Sequence, residues 1–249
     1  MTEFDLLIEL HKNNPRQGPG SEADTLKALS FIQDKLPKHA KVLDIGCGTG
    51  GQTLTLANNL DCEIVAVDLF EDFLTELNLK VQQLGLQEKI STLSCSMDNL
   101  DFNNQQFDLI WSEGAIYVIG FKEGIQQWKK FLKPNGYMAI SEITWTTNQR
   151  PDELNNHWQE QYPQISTAAE KIKIIQESGF SLVGYFLLPQ QSWEEGYYKA
   201  IENNLGSFIE KFANNGLAKE IVKQEKQEID IYRKYKDYYS YGFYLFKNT

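Results

Sequence analysis

Residues 42–51 read VLDIGCGTGG, an apolar run that leads directly into a glycine-rich turn. A continuous apolar run of this kind is typical of a central parallel strand, and the residues from about 51 to 59 predict a helix behind the turn. Glycine is needed where the backbone turns tightly and a ligand lies against it, because a Cβ would collide there. Strand, turn and helix in this order predict a ligand site at the turn.

The next predicted strand supplies an acidic partner for this turn. It covers residues 63–67 and is followed by Asp68, whose carboxylate can accept two hydrogen bonds from ribose hydroxyls. The turn reads GxGxG rather than the GxGxxG of dinucleotide sites, and Asp44 would repel a pyrophosphate but attract an ammonium group. The pattern therefore predicts a nucleoside site and disfavours a nicotinamide oxidoreductase.

Short β-rich runs alternate with helical stretches through most of the chain, which is typical of a parallel sheet covered on both faces. The predicted strands are 41–45, 63–67, 90–94, 107–111, 136–144, 181–188 and 239–246. Aromatic alternation in the last of them predicts a strand near the edge of the sheet. We expect a single domain over residues 1–249, with its core at about 21–145, 167–189 and 239–246.

Two segments exceed what a bare sheet-and-helix unit needs, about 146–166 and 190–237. The second contains one long predicted helical stretch at about 193–236. Both segments follow strand ends, so we expect them to form a helical lid, although polar surface decoration would look the same in the sequence.

The composition of the chain disfavours several classes of binding partner. The chain has 249 residues with a net charge of −10, which disfavours binding to a phosphate backbone and so argues against nucleic acid. The apolar runs are too short to cross a bilayer, and the first residues do not resemble a signal peptide. Three scattered cysteines without a CxxC pair suggest a reducing, cytoplasmic location, and three scattered histidines predict no metal site.

Several segments carry a family resemblance. VLDIGCGTG resembles the first motif of class I S-adenosylmethionine-dependent methyltransferases, and AVDLF at 66–70 resembles their second. The similarity continues at 97–100, 107–121 and 131–142, and it is greatest to the small-molecule methyltransferases of the ubiquinone and menaquinone group. The resemblance implies a Rossmann-like α/β fold with a seven-stranded, mostly parallel sheet, helices on both faces and a helical lid. It also implies S-adenosylmethionine as the cofactor.

The resemblance assigns roles to ten residues. They are Asp44 at the amino group of the cofactor, Gly46, Cys47, Gly48 and Gly50 along its methionine portion, Asp68 at the ribose, Leu69, Met97 and Asp98 at the adenine, and Glu113 in the same crevice. For Asp98 a solvated loop acid is the alternative, and Cys47 needs no thiol chemistry. The loop at 13–20 supplies one more candidate, Arg16, which could meet the carboxylate of the cofactor if that loop folds over it. A flexible leader is the alternative.

Methyl transfer from a sulfonium requires mainly alignment and exclusion of water, with a base only where the acceptor must lose a proton. The catalytic candidates are Tyr117 and Glu142 near strand ends and His157 in the lid. The sequence predicts a small-molecule acceptor but does not identify it, and it leaves a homodimer open. A protein that binds S-adenosylmethionine without transferring its methyl group is the alternative function.

Overall fold

A computed structural model describes the whole chain, residues 1–249. Its strands are β1 (Ala40–Ile45), β2 (Cys62–Asp68), β3 (Ile90–Ser94), β4 (Phe107–Glu113), β5 (Leu132–Trp145), β6 (Ser166–Thr167), β7 (Phe180–Leu187) and β8 (Tyr239–Asn248). Seven lie side by side in the order β3-β2-β1-β4-β5-β8-β7, and the short β6 pairs with the end of β5. Only β8 runs antiparallel to its neighbours. This confirms the predicted Rossmann-like, mostly parallel sheet.

Ten α-helices accompany the sheet. They are α1 (Glu3–His11), α2 (Glu22–Ser30), α3 (Gly51–Asn59), α4 (Glu71–Leu84), α5 (Phe121–Lys129), α6 (Asp152–Gln161), α7 (Ala168–Glu177), α8 (Gln190–Trp193), α9 (Lys199–Lys211) and α10 (Gly216–Tyr235). A π-helical turn, Glu194–Tyr198, joins α8 to α9. No helix combines the length and apolar character needed to cross a membrane.

The central strands are buried on both faces because successive side chains enter different cores. Val42 packs in a core with residues of α2, α3 and α4, whereas Leu43 packs in a second core with residues of α5 and α7. In β4, Leu109 packs in the first core and Ile110 in the second. This two-sided burial explains why the strands read as continuous apolar runs rather than as alternating ones.

The last strand lies near the edge, as predicted, but it is not the edge strand itself. Strand β8 lies between β5 and β7, and β7 is the edge strand. Its aromatic residues are needed on both faces, since Phe243 packs in the first core and Tyr244 in the second. Aromatic alternation alone does not distinguish an edge strand from one buried on both sides.

A third core joins α1, α6, α8, the π-helical turn, α9 and α10, which together we call the helical cap. Trp145 at the end of β5 and Tyr239 at the start of the antiparallel β8 belong to it, so the cap lies over the carboxyl ends of the parallel strands. The predicted single stretch at 193–236 is broken after Lys211. Asn215 caps α10 by accepting hydrogen bonds from the amides of Leu217 and Ala218.

Candidate functional site

The glycine turn has a left-handed backbone and close neighbours. Gly46, Gly48 and Gly50 have φ values of 72°, 54° and 86°. A Cβ on Gly46 would lie 2.4 Å from the Cβ of Ala115, a contact that no side-chain rotation can relieve. The Gly48 amide donates to Asp68 Oδ2 at 2.8 Å, so the acid that ends β2 also holds the turn. Burial raises the pKa of Asp68.

The loop between α1 and α2 lies against this turn. Gln17 Oε1 accepts a hydrogen bond from the Thr49 amide at 2.8 Å, and Gln17 Nε2 donates to the carbonyls of His11 and Asn14. Asn204 of α9 donates to the Asn14 side chain at 2.7 Å. The loop is therefore folded onto the glycine turn and is tied to the helical cap.

Arg16 in this loop forms a shielded ion pair. Its guanidinium donates to Glu113 Oε2 at 2.6 Å and to the Thr25 hydroxyl at 2.9 Å, and the two charged side chains are only 10% and 6% exposed. Glu113 Oε1 also accepts hydrogen bonds from the Thr25 hydroxyl and from Trp111 Nε1, both at 2.8 Å. Glu113 thus holds the Arg16 side chain beside the turn.

A cavity of about 530 Å³ opens at the carboxyl ends of β1, β2 and β4, and we call it the nucleoside cavity. Eight predicted binding residues line it: Arg16, Gly46, Cys47, Gly48, Asp68, Leu69, Met97 and Glu113. Helix α1 contributes a wall that was not predicted, through Phe4, Leu7, Ile8 and His11. Helix α1 lies more than thirty residues before the turn, and no motif marks it.

Asp44, Gly50 and Asp98 do not line this cavity. Asp44 is fully buried beneath the turn, where it accepts hydrogen bonds from Thr53 and Gln52, and burial raises its pKa to about 7. Gln52 is the residue that lines the cavity above it. The Asp98 carboxylate accepts a hydrogen bond from Ser96, and Ser96 lies in the wall instead.

A second cavity, of about 980 Å³, lies between the first and the helical cap, and we call it the cap cavity. The two share seven lining residues: Gln17, Gly18, Pro19, Gly114, Tyr117, Tyr197 and Glu225. A ligand in the nucleoside cavity and a ligand in the cap cavity would therefore lie against the same wall.

The structure separates the three catalytic candidates. Tyr117 lines both cavities, and His157 lines the cap cavity, where burial lowers its pKa. Glu142 lines neither cavity. It is fully buried in the sheet and forms an ion pair with Lys171 at 3.4 Å. The expectation that Glu142 faces the acceptor is not met, because β5 turns this side chain away from the cavities.

Two acidic residues of α10 line the site, and the sequence did not predict either of them. Glu225 lines both cavities, and its Oε1 lies 3.1 Å from His11 Nε2. Glu228 lines the cap cavity and accepts a hydrogen bond from the Tyr198 hydroxyl at 3.2 Å. The available signal was that Glu225 interrupts the buried apolar stripe of α10, between Ile221 and Ile229. No group of three or more His, Cys, Asp or Glu side chains is arranged to hold a metal ion.

The fold is shared with solved structures of other proteins. An S-adenosylmethionine-dependent methyltransferase from Geobacter sulfurreducens, solved with S-adenosyl-L-homocysteine, superposes with a TM-score of 0.82 at 19% identity, over 99% of this chain and 98% of that one. At this identity the likeness establishes the fold, a Rossmann-like methyltransferase fold that covers the whole chain.

The sequence comparison is more specific for the middle of the chain. Residues 42–136 match a family described as a methyltransferase domain. An uncharacterized protein of Haemophilus influenzae is 30% identical over 156 residues, 61% of this chain and 60% of that protein. A sterol 24-C-methyltransferase of Candida albicans is also 30% identical over 156 residues, 61% of this chain but 41% of that enzyme. The chain thus spans less than two thirds of either relative.

Proposed function

We propose that this protein is an S-adenosylmethionine-dependent methyltransferase that acts on a small-molecule acceptor. The observation that carries the proposal is the pair of adjoining cavities at the glycine turn, with Tyr117 in the wall of both. One cavity has the features of a nucleoside site, and the other adjoins it through a shared wall, where an acceptor would meet the reacting end of the cofactor. The methyltransferase domain in residues 42–136 supports the same conclusion.

The residues of the nucleoside cavity suit the proposed cofactor. Asp68 presents a carboxylate for ribose hydroxyls, and Leu69, Phe70 and Met97 present apolar side chains for a base. A side chain at Gly48 would fill the cradle, since its Cβ would lie 2.1 Å from Gln17 Oε1. When bound, S-adenosylmethionine supplies a methyl group activated by a positively charged sulfur.

The rest of the proposed mechanism concerns alignment and exclusion of water by the chain itself. We propose that segments 146–166 and 190–237 act as the lid of a single domain, because α6, α8, the π-helical turn and α10 line the cap cavity. Tyr117 would orient the acceptor from the shared wall, and His157 would assist a proton that must leave. Glu142 is assigned a structural role instead, since its carboxylate is buried with Lys171.

The test is calorimetric titration with S-adenosylmethionine and S-adenosyl-L-homocysteine, for which we expect affinities in about the micromolar range. Incubation with a fractionated metabolite extract should then release S-adenosyl-L-homocysteine in at least one fraction. Indifference to both ligands would reject the proposal. Binding without turnover in any fraction would favour the alternative, a protein that binds the cofactor but does not transfer its methyl group.

The subgroup of methyltransferase, the cellular location and the partners of the protein remain predictions. The ubiquinone and menaquinone group rests on the sequence resemblance alone, and the named relative reported above is a sterol methyltransferase. A cytoplasmic location, a homodimer and the exclusion of nucleic acid rest on composition and charge.

A further inference from the structure

The cap cavity has a one-sided composition. Six aromatic residues line it, Tyr117, Trp158, Tyr162, Trp193, Tyr197 and Tyr241, together with five acids, Glu3, Glu160, Glu225, Glu228 and Asp230. No lysine or arginine lines it. Aromatic faces and carboxylates both attract cations, and neither attracts an anion. The lining therefore favours a ligand that carries a positive charge.

Polar atoms in the wall of the cap cavity lack hydrogen-bond partners within the protein. Glu225 is 9% exposed, and its Oε2 has no hydrogen-bond partner, although Oε1 is paired with His11. Trp158 Nε1, in the same wall, also has no partner. A buried carboxylate oxygen without a partner is costly, and a donor or a cation from a ligand would relieve that cost.

Glu228 adds a second carboxylate one helical turn from Glu225. It is an exposed residue on the wall of the cap cavity, where partial loss of solvent, and then the nearby Glu225, raise its pKa to about 7. A positive ligand charge beside it would favour the ionised form. A carboxyl with this pKa can also accept a proton at neutral pH.

Two cations of the surrounding elements are already engaged. Lys171 lies 6.0 Å from the centre of the Tyr162 ring, but its ammonium is paired with Glu142 in the sheet. On the outside of the cap, Arg233 is held by Glu194 and Glu202. An acceptor with a carboxylate or phosphate would therefore meet several acids and no lysine or arginine in the wall of the cavity.

We propose that the cap cavity binds a cationic ammonium group, so that the methyl acceptor is an amine without a carboxylate or phosphate. This inference rests on the proposed function, in which the cap cavity is the acceptor site. The ammonium first gives its proton to Glu228. The nitrogen lone pair then forms the new N–C bond while the S–C bond breaks, and the electron pair of that bond stays on sulfur. Aromatic rings stabilise the methylated ammonium product.

The experiment measures binding of three related probes, two of them matched in size, to the full chain, with and without S-adenosyl-L-homocysteine. The probes are choline, the alcohol in which a tert-butyl group replaces its trimethylammonium group, and phosphocholine. We expect choline to bind at least about tenfold more tightly than either of the other two. Equal affinity for choline and the neutral alcohol, a preference for phosphocholine, or no binding of any probe would overturn the proposal.

Glu228→Gln keeps the shape of the side chain and removes its charge. This variant should lose about tenfold in choline affinity and little affinity for the neutral alcohol. Its affinity for S-adenosyl-L-homocysteine should not change, because Glu228 does not line the nucleoside cavity. Glu220→Gln on the same helix is the control, since Glu220 is exposed, pairs with Lys223 and lines neither cavity. Unchanged choline selectivity in Glu228→Gln would contradict the proposal.

The two proposals fail separately in this design. If S-adenosyl-L-homocysteine does not bind, the proposed function fails while the choline titration still reports on the cap cavity. If the nucleoside binds and choline shows no preference, the methyltransferase proposal stands and the amine assignment falls.

Discussion

The two adjoining cavities differ in the residues that line them. The nucleoside cavity has 14 hydrophobic residues among 27, and its floor is the backbone of a left-handed turn held by Asp68. The cap cavity has 8 hydrophobic residues among 21, and long side chains from α6, α10 and the π-helical turn form much of its wall. The first cavity is thus defined by backbone position and the second by side-chain charge.

This difference teaches where each ligand's specificity resides. A backbone cradle fixes shape and tolerates no added atoms, so its variants should fail through collision and strain. A wall of long side chains can change its preference by exchange of a charged group without a change in fold. Variants in one cavity should therefore leave binding in the other largely intact, and residues outside both should affect stability alone.

The largest expected effect lies outside both cavities. Lys171→Met should destabilise the protein by about 3–5 kcal/mol, because it leaves the Glu142 carboxylate buried without a partner. The two side chains are 1% and 0% exposed, so solvent offers little compensation. Chemical denaturation measures the loss, and Lys171→Met combined with Glu142→Leu should recover most of it. Reduced affinity for S-adenosyl-L-homocysteine in folded Lys171→Met would mean that the pair acts on the site.

Gly46→Ala should have the largest effect on the nucleoside cavity. The left-handed φ of 72° disfavours alanine, and the new Cβ would lie 2.4 Å from Ala115. We expect affinity for S-adenosyl-L-homocysteine to fall by about a hundredfold or more by calorimetry. Gly206→Ala in α9 is the matched control, because a Cβ there meets no atom within 4 Å, and helix propensity should make it slightly more stable. Near-normal affinity in Gly46→Ala would show that the turn is not a tight cradle.

Asp68→Ala should produce a smaller loss in the same cavity. It removes the proposed ribose contact and the support that the Gly48 amide receives. We expect affinity for S-adenosyl-L-homocysteine to fall by about tenfold to a hundredfold. Choline binding without the nucleoside should be unaffected, since Asp68 does not line the cap cavity. Parallel loss of both ligands would instead indicate that the two cavities collapse together.

The sequence predicted the nucleoside cavity well because its signals are local. The apolar run, the glycine spacing and Asp68 lie close together in the chain, and α3 was predicted at the residues where it occurs, 51–59. Two of the three predicted binding residues that do not line the cavity are hydrogen-bonded to residues that do. Asp44 accepts a hydrogen bond from Gln52, and the exposed Asp98 accepts one from Ser96.

The cap cavity could not be predicted in the same way because its wall is assembled by tertiary packing. Glu225 and Glu228 reach the site only after α10 packs on α1 and α9. Glu142 shows the converse error. It lies near the end of an apolar strand at the expected edge of the sheet, yet the antiparallel β8 beside it and Lys171 of α7 enclose its side chain. The periodicity of a strand gives the alternation of faces but not what covers each face.

The smallest expected effect is a pH-dependent stability change in Glu228→Gln. The pKa of Glu228 is raised from its ordinary value of 4.5 to about 7 in the folded protein, so the folded state favours the protonated form. The stability that this proton provides is complete below about pH 4.5 and is lost as pH rises through 7. Glutamine resembles the protonated acid at every pH, so the variant should gain in Tm relative to the natural protein as pH rises from 5 to 8. Because Glu228 is accessible from the cap cavity, solvent screens much of its charge, and we expect a gain of only about 2–4 °C.

Thermal unfolding at pH 5 and pH 8 measures this gain in Tm, with Glu220→Gln as the control on the same helix. A difference that is the same at pH 5 and pH 8 would show that Glu228 ionises normally. A gain confined to high pH would show that the natural protein keeps a destabilising carboxylate in the cap cavity, as expected if a cationic ligand binds there.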